Sequence, residues 1–387
     1  MKLVFASNYF NHHQKVLADE FIKIYGDDYA FVAFTPFNQK RLAIGYHDMN
    51  YEPCVFRAYE SPSAMSEAQR MIDEAECVIV GGMPSGSISC VRNRLKNNKI
   101  TFLFSERFFK GSLWRDTVRF MKYCIFSGGR REAKKLTSKF YLLCSGAFTA
   151  WDYSVCGLFR GKAYRWGYFP ENKKYDNFDE VMSLKKHGSI LWAGRFLEWK
   201  HPELAVMLAK NLREMGIKFN MKMIGSGELH SVISEMVTSL NLQDCVELTE
   251  AVPAEQVLME MEASQIFLFT SDRGEGWGAV LNEAMGSGCA VAAGDKIGAV
   301  PYLIKNGKNG LIFRNKDIND LTVKVSELLR EPVRIAELGR NAYETLTGEW
   351  SAGEAARRFI KLAETLNTAD GSANIWEDGP CSIAPII

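Results

Sequence analysis

Residues Gln265–Asp295 read QIFLFTSDRGEGWGAVLNEAMGSGCAVAAGD. The apolar run QIFLFT predicts a buried strand, and the glycine-bearing stretch after it a loop. A helix starts near Trp277, and the apolar run Ala290–Ala293 predicts a second strand. Around this segment, strand-like runs recur at Ile190–Ala193, Asn220–Ile224, Cys245–Leu248 and Leu311–Phe313. Helix starts are marked by proline at Pro202 and Pro253, and helices at Asp317–Arg330, Pro332–Leu346 and Ala352–Leu366 follow. Short apolar strands alternating with helix-length segments predict a parallel sheet covered on both faces.

The first half repeats the alternation. Its strand candidates are Leu3–Ala6, Phe31–Phe34, Cys54–Arg57, Cys77–Val80, Thr101–Phe104 and Phe140–Cys144. Its helices fall at Gln14–Ile24, Ala64–Glu76, Ser87–Asn97, Ser112–Phe126 and Arg130–Ser138. The polar stretch PENKKYDNFDEVMSLKKH (Pro170–His187) interrupts the pattern and predicts a linker. The expectation is an α/β protein of two doubly wound, Rossmann-like domains facing across a cleft. The domains span 1–170 and 188–366, joined by a linker at 171–187. A tail, 367–387, packs back on the first domain.

A length of 387 residues suits two domains, and 47% hydrophobic with 24% charged residues excludes a disordered or fibrous chain. Nine cysteines, an odd number with no CxxC spacing, predict reduced core thiols and no structural metal site. The N-terminus MKLVFASNYFNHH is too polar for a secretory signal, and no window has the ~20 apolar residues of a membrane span. These readings predict a cytoplasmic protein.

The net charge of +1 conceals an uneven distribution. Arg92–Lys139 holds fourteen Lys and Arg against three acids, a net of +11 that leaves −10 for the remainder. Phe108, Phe109, Trp114 and Phe120 lie among these cations. That composition suits an anionic lipid surface, here the inner face of the plasma membrane, as well as a plain solvated helix face. No nucleic-acid module is visible, so nucleic acid is not expected as a partner.

Three elements in the second half carry chemistry. In LWAGRFLEWK (Leu191–Lys200) a strand ends in Gly194-Arg195 and a lysine follows at the mouth of the next helix. Such an Arg and Lys suit a diphosphate, although either one alone is ordinarily a surface cation. In MIGSGELH (Met223–His230) a strand enters a Gly-Ser-Gly turn, short of a dinucleotide fingerprint. In Ser271–Asp295, Glu275 precedes the helix and Glu283 lies about two turns into it, with Gly274, Gly276 and Gly278 allowing close backbone approach to a ligand.

The order Gly194-Arg195 with Lys200, then Gly225-Ser-Gly227-Glu228, then Glu275-Gly-Trp-Gly with Glu283 resembles the C-terminal domain of family-4 retaining glycosyltransferases of the GT-B fold, within the group 1 glycosyltransferases. The resemblance covers about 188–366. It implies transfer of a hexose from a nucleotide sugar, UDP- or GDP-linked, to a saccharide or lipid-linked acceptor with retention, in polysaccharide or glycolipid assembly. It implies that Arg195 and Lys200 meet the diphosphate, that Glu275 lies beside the donor sugar and that Glu283 accepts from the ribose hydroxyls. Backbone at Gly276, Trp277 and Gly278 and the turn at Gly225 would line the donor, and the loop Glu250–Pro253, with Glu250 and Val252, would pack the base. It further implies no metal and no cofactor, the nucleotide sugar being a substrate.

Two departures concern the first half. The loop Ser7–Gln14 lacks the family's glycine pair and offers Asn11, His12 and His13, which equally fit a solvated helix start. Leu103–Phe109 lacks the family's acceptor-side histidine and offers Glu106, which equally fits a helix-start carboxylate. Trp277 stands where a smaller aromatic is common, shaping the sugar pocket or filling core. A catalytically silent sugar-nucleotide-binding subunit and a GT-B-fold sugar-nucleotide epimerase are the alternatives.

Overall fold

A computed structural model describes residues 2–38, 42, 47–81, 89–111, 114–118, 130–368 and 371–387. The strands are β1 (Leu3–Ser7), β2 (Tyr29–Ala33), β3 (Val55–Arg57), β4 (Cys77–Gly81), β5 (Thr101–Glu106), β6 (Phe140–Ser145) and β7 (Ala163–Trp166) in the first sheet. The second sheet holds β8 (Lys186–Ala193), β9 (Asn220–Ile224), β10 (Val246–Thr249), β11 (Ser264–Phe269), β12 (Ala290–Gly294) and β13 (Leu311–Phe313). Their spatial orders are β3-β2-β1-β4-β5-β6-β7 and β10-β9-β8-β11-β12-β13, and every pairing within them is parallel. In each, the order reverses beside the first strand, the topology of a doubly wound domain. Strands such as Leu3–Ser7 and Cys77–Gly81 are buried throughout, as parallel strands covered on both faces must be.

The chain forms two compact units, Met1–Glu171 with Ser351–Ile387, and Asn172–Trp350. This corrects two expectations. The stretch 171–187 is not a free linker: it contains the helix Phe178–Leu184 and the first residues of β8. Its Lys185 is buried, and its Nζ donates to the carbonyls of Met261 (3.1 Å), Ser264 (2.8 Å) and Ser287 (2.9 Å). Four backbone oxygens, with Glu262 at 3.3 Å, replace the water that a charged lysine loses, and burial lowers its pKa.

The second correction concerns the helix Ala352–Thr368, expected to close the second domain. It belongs to the first unit, where Phe359 packs against Phe21, Phe102 and Trp166 at ring distances of 5.7, 4.9 and 5.7 Å. The segment after it runs along β7: Ile383 bridges Tyr164 antiparallel, and the Cys381 and Ala384 N–H groups donate to Arg165 and Ala163. β7 itself was missed in the sequence.

The basic stretch is not wholly a surface. Arg94 is fully buried and donates to the carbonyls of Ile72, Ala75 and Ile100 at 2.8, 2.5 and 2.7 Å, holding the end of the helix Pro62–Glu74. Arg107 is largely buried beside Asp152. Of the expected helix 112–126, residues 114–118 are helical, while Arg119, Phe120 and Lys122 lie outside the described residues. The eight described cysteines are all free, and among the described residues no helix is long and apolar enough to cross a membrane.

Candidate functional site

The C-terminal ends of β8, β9 and β11 hold the three sequence elements in the second unit. At the end of β9 the Gly-Ser-Gly turn is dictated by backbone packing. Gly225 has φ +148°, and a Cβ there would stand 1.9 Å from the Gly194 carbonyl oxygen. The Phe196 N–H donates to Ser226 O at 2.9 Å and the Leu229 N–H to Phe196 O at 3.0 Å, so this turn and the loop after β8 lie against each other.

Lys200 ends the single 3-10 turn Glu198–Lys200, and its Nζ forms an ion pair with Glu275 Oε2. Both side chains are mostly buried, and Ser271 Oγ donates to the same carboxylate oxygen at 3.3 Å. Two residues 75 apart in sequence thus meet. Thr270 Oγ1 donates to Lys200 O at 2.6 Å and the Asp272 N–H to Trp199 O at 2.9 Å, stitching the loop after β8 to the loop after β11. Arg195 is exposed, its guanidinium 5.7 Å from the Trp199 ring centroid.

Glu283 sits in the first turn of the helix Val280–Gly286, with no side-chain hydrogen bond or ion pair among the described residues. Burial alone pushes its carboxyl up to about 7. Gly278, at φ +93°, lets the chain pass Phe269, whose ring would lie 2.4 Å from a Cβ. Trp277 is not a pocket wall. It is 1% exposed, its Nε1 donates to Asn282 Oδ1 at 2.8 Å, and it packs 6.0 Å from Trp350. Glu250 is 72% exposed and lies 3.6 Å from His230 Nε2, and Val252 is half-buried.

In the first unit, Asn11 caps the helix His12–Tyr25: its side chain accepts the His13 N–H at 3.0 Å, while Gln14 Oε1 accepts the Asn11 N–H at 3.1 Å. The Asn11 carbonyl oxygen is therefore spent on the helix. His12 and His13 are half-buried, their rings 3.8 Å apart, and His13 lies 5.1 Å from the Tyr168 ring. Glu106 does not start a helix. It ends β5, where Oε1 accepts from Tyr168 OH at 2.6 Å and Oε2 from Lys110 Nζ at 2.9 Å. The structure thus brings His13, Tyr168 and Glu106 together, and Tyr168 was not anticipated.

Sequence reasoning also missed His201 and Asp272. His201 Nδ1 lies 2.7 Å from Glu203 Oε1 and Nε2 3.1 Å from Asp272 Oδ2. Asp272 further accepts the Gly274 N–H at 2.8 Å and lies 3.2 Å from Lys316 Nζ. Burial opposes ionisation of Asp272, but these three donors outweigh it and hold the carboxyl down at about 2. The one signal in sequence was position, a histidine directly after Lys200 and an acid three residues before Glu275.

Comparison with known proteins locates these features. The description glycosyl transferases group 1 matches residues 175–345. An uncharacterized glycosyltransferase of Methanocaldococcus jannaschii is 30% identical over 154 residues, 40% of this chain and 42% of that protein. The GDP-mannose-dependent alpha-(1-6)-phosphatidylinositol monomannoside mannosyltransferase of Mycolicibacterium smegmatis is 25% identical over 46% of this chain and 47% of its own length. The chain thus spans about half the length of the curated relatives it matches. The crystal structure of Anabaena HepE in complex with UDP superposes with a TM-score of 0.65 over 95% of this chain and all of that one, at 15% identity, a likeness of fold alone. That fold is GT-B, and residues 175–345 are similar to the group 1 glycosyl transferases.

Proposed function

We propose that the protein is a glycosyltransferase that moves a hexose from a UDP- or GDP-sugar to a saccharide or lipid-linked acceptor, with retention, in cell-surface polysaccharide or glycolipid assembly. The observation that carries this reading is the Lys200–Glu275 pair at the strand ends, with half-buried Glu283 in the following helix. A relative named for GDP-mannose and a fold neighbour holding UDP support a nucleotide-sugar donor.

Arg195 and Lys200 are assigned to the donor diphosphate. As the glycosidic bond breaks, charge grows on the leaving phosphate, and two fixed cations stabilise it without reorganisation. They supply the neutralisation for which other transferases use a divalent ion, so no metal is required. Lys200 is held by Glu275, and the arriving diphosphate competes for the same ammonium. Glu275 is then left beside the donor sugar. Glu283 accepts the ribose hydroxyls, which replace the water its carboxylate lost on burial. The leaving phosphate deprotonates the acceptor on the same face, so no protein nucleophile is assigned. The acceptor is assigned to the first unit, with Glu106, His12, His13 and Asn11 as its candidate residues.

Thermal shift with UDP- and GDP-sugars tests the donor, and anomeric NMR of the product tests retention. A donor should raise the melting temperature of wild type but not of Arg195→Ala, and transfer should fall by about a hundredfold or more in Lys200→Ala. If no nucleotide sugar stabilises the wild type, the reading is wrong.

We also propose peripheral contact with the anionic inner face of the plasma membrane through the first unit. Trp114 is 76% exposed and Leu136 is exposed too, in the part of the chain that carries the cation excess, and Trp151 is exposed beyond it. Asp116 accepts the N–H groups of Lys110 and Gly111 at 3.1 and 2.9 Å, which ties residues 114–118 to the loop holding Phe109, 6.0 Å from Trp151. Aromatic rings among cations suit the headgroup level of a bilayer.

A further inference from the structure

His201 stands between the turn that ends in Lys200 and the helix Pro202–Glu214, in the left-handed region at φ 48°, ψ 55°, and is 7% exposed. Its two ring nitrogens each face a carboxylate oxygen, Glu203 at 2.7 Å and Asp272 at 3.1 Å. Ionised carboxylates only accept, and a neutral imidazole has a single N–H to give. Both bonds form together only when both nitrogens carry protons, so the ring is an imidazolium. The groups facing it are Glu203 on its own helix, Asp272 after β11 and Lys316 after β13, the last 3.2 Å from Asp272. Burial lowers its pKa and the Lys316 charge works in the same direction, but the two carboxylates prevail and raise it to about 9.

Asp272 begins the turn that presents Glu275: its Oδ1 accepts the Gly274 N–H and its backbone oxygen the Glu275 N–H at 3.0 Å. Lys200 and His201 are adjacent in the chain. We infer that His201, as an imidazolium held between Glu203 and Asp272, is a positioning residue: it clamps the loop bearing Lys200 to the turn bearing Glu275. The backbone bonds alone set the approach of the two loops. The charged clamp sets the register that keeps the Lys200 ammonium and the Glu275 carboxylate at a common point. This role rests on the donor-site reading above, whereas the protonation state of the ring does not.

Nitrogen–proton NMR of the imidazole in the ligand-free chain reads the clamp directly. Both nitrogens should be protonated at neutral pH and titrate near 9, and Asp272→Asn should shift that midpoint downward. A ring that titrates near its ordinary 6.5, or that ignores Asp272→Asn, overturns the clamp. His201→Asn removes the charge while Asn tolerates the left-handed backbone. With its melting temperature within a few degrees of wild type, its kcat/KM should fall about tenfold, mainly in kcat. The alkaline decline of the wild-type rate near pH 9 should vanish with it. A folded His201→Asn with wild-type kcat and an unchanged alkaline decline overturns the positioning role. Absence of transfer by wild type would instead overturn the functional reading, and the imidazole titration would still decide the clamp.

Discussion

Glu283, Asp272 and His201 respond to pH in three different ways because each has a different neighbourhood. Burial raises Glu283 from 4.5 to about 7, so across that window the unfolded chain has released a proton that the folded chain keeps. Its contribution to stability therefore falls as pH rises from 4.5 through about 7. Asp272 runs the other way: its stabilisation is present above its ordinary 3.8 and is lost as pH falls through about 2. His201 stabilises fully below 6.5 and loses this as pH rises through about 9. Glu283→Gln should accordingly gain melting temperature relative to wild type on going from about pH 5 to about pH 8. A difference that stays constant over that range would show the Glu283 carboxyl to be ionised at both pH values. Lys200 and Glu275 stood out in the sequence because the order of the strand-end elements that carry them resembles a known family. His201 did not, since its meaning depends on Asp272, 71 positions away, and on a backbone conformation that no residue pattern announces.

The loops at the strand ends are shaped by glycines whose roles differ. Gly225 and Gly227 have φ of +148° and +151° and press on the backbone of Gly194 and Phe196, whereas Gly216 at φ +70° has open space around it. Gly225→Ala should destabilise the second unit by about 2–4 kcal/mol, since backbone strain and a clash with a carbonyl that cannot swing away act together. Denaturant unfolding checks this, and a variant as stable as wild type would show that the loop after β8 can yield. Strands such as Ile266–Phe269 were readable as continuous apolar runs. β7 was not: it is four residues long and carries Arg165, whose guanidinium is taken up by Asp378. Arg94 escaped notice for a related reason, because a run of cations says nothing about which one finds backbone carbonyls inside. Trp277 was readable as core or pocket, and its bond to Asn282 decides for core.

Over the whole molecule, a net charge of +1 is the sum of a strongly basic stretch and an acidic remainder, and the structure removes Arg94 and Arg107 from the surface part of that stretch. Enough cations and exposed tryptophan remain for the proposed lipid contact. In sedimentation with vesicles the protein should pellet with anionic lipid and much less with zwitterionic lipid, and raised salt should release it. Equal recovery in the supernatant with both lipids would refute the contact. The amphipathic pattern of Ala352–Thr368 was plain in the sequence, but amphipathicity says only that a helix buries a face, and Phe359 places that face among Phe21, Phe102 and Trp166. The first unit is thus assembled from two separated stretches, with the whole second unit inserted between them. On the ribosome, residues 1–171 emerge with the Phe102 face uncovered and the edge of β7 unpaired. The 179 residues of the second unit must be made before residues 351–387 arrive to cover both. The second unit is therefore complete first, and the nascent first unit needs protection from edge pairing for as long as its partner segment is unsynthesised.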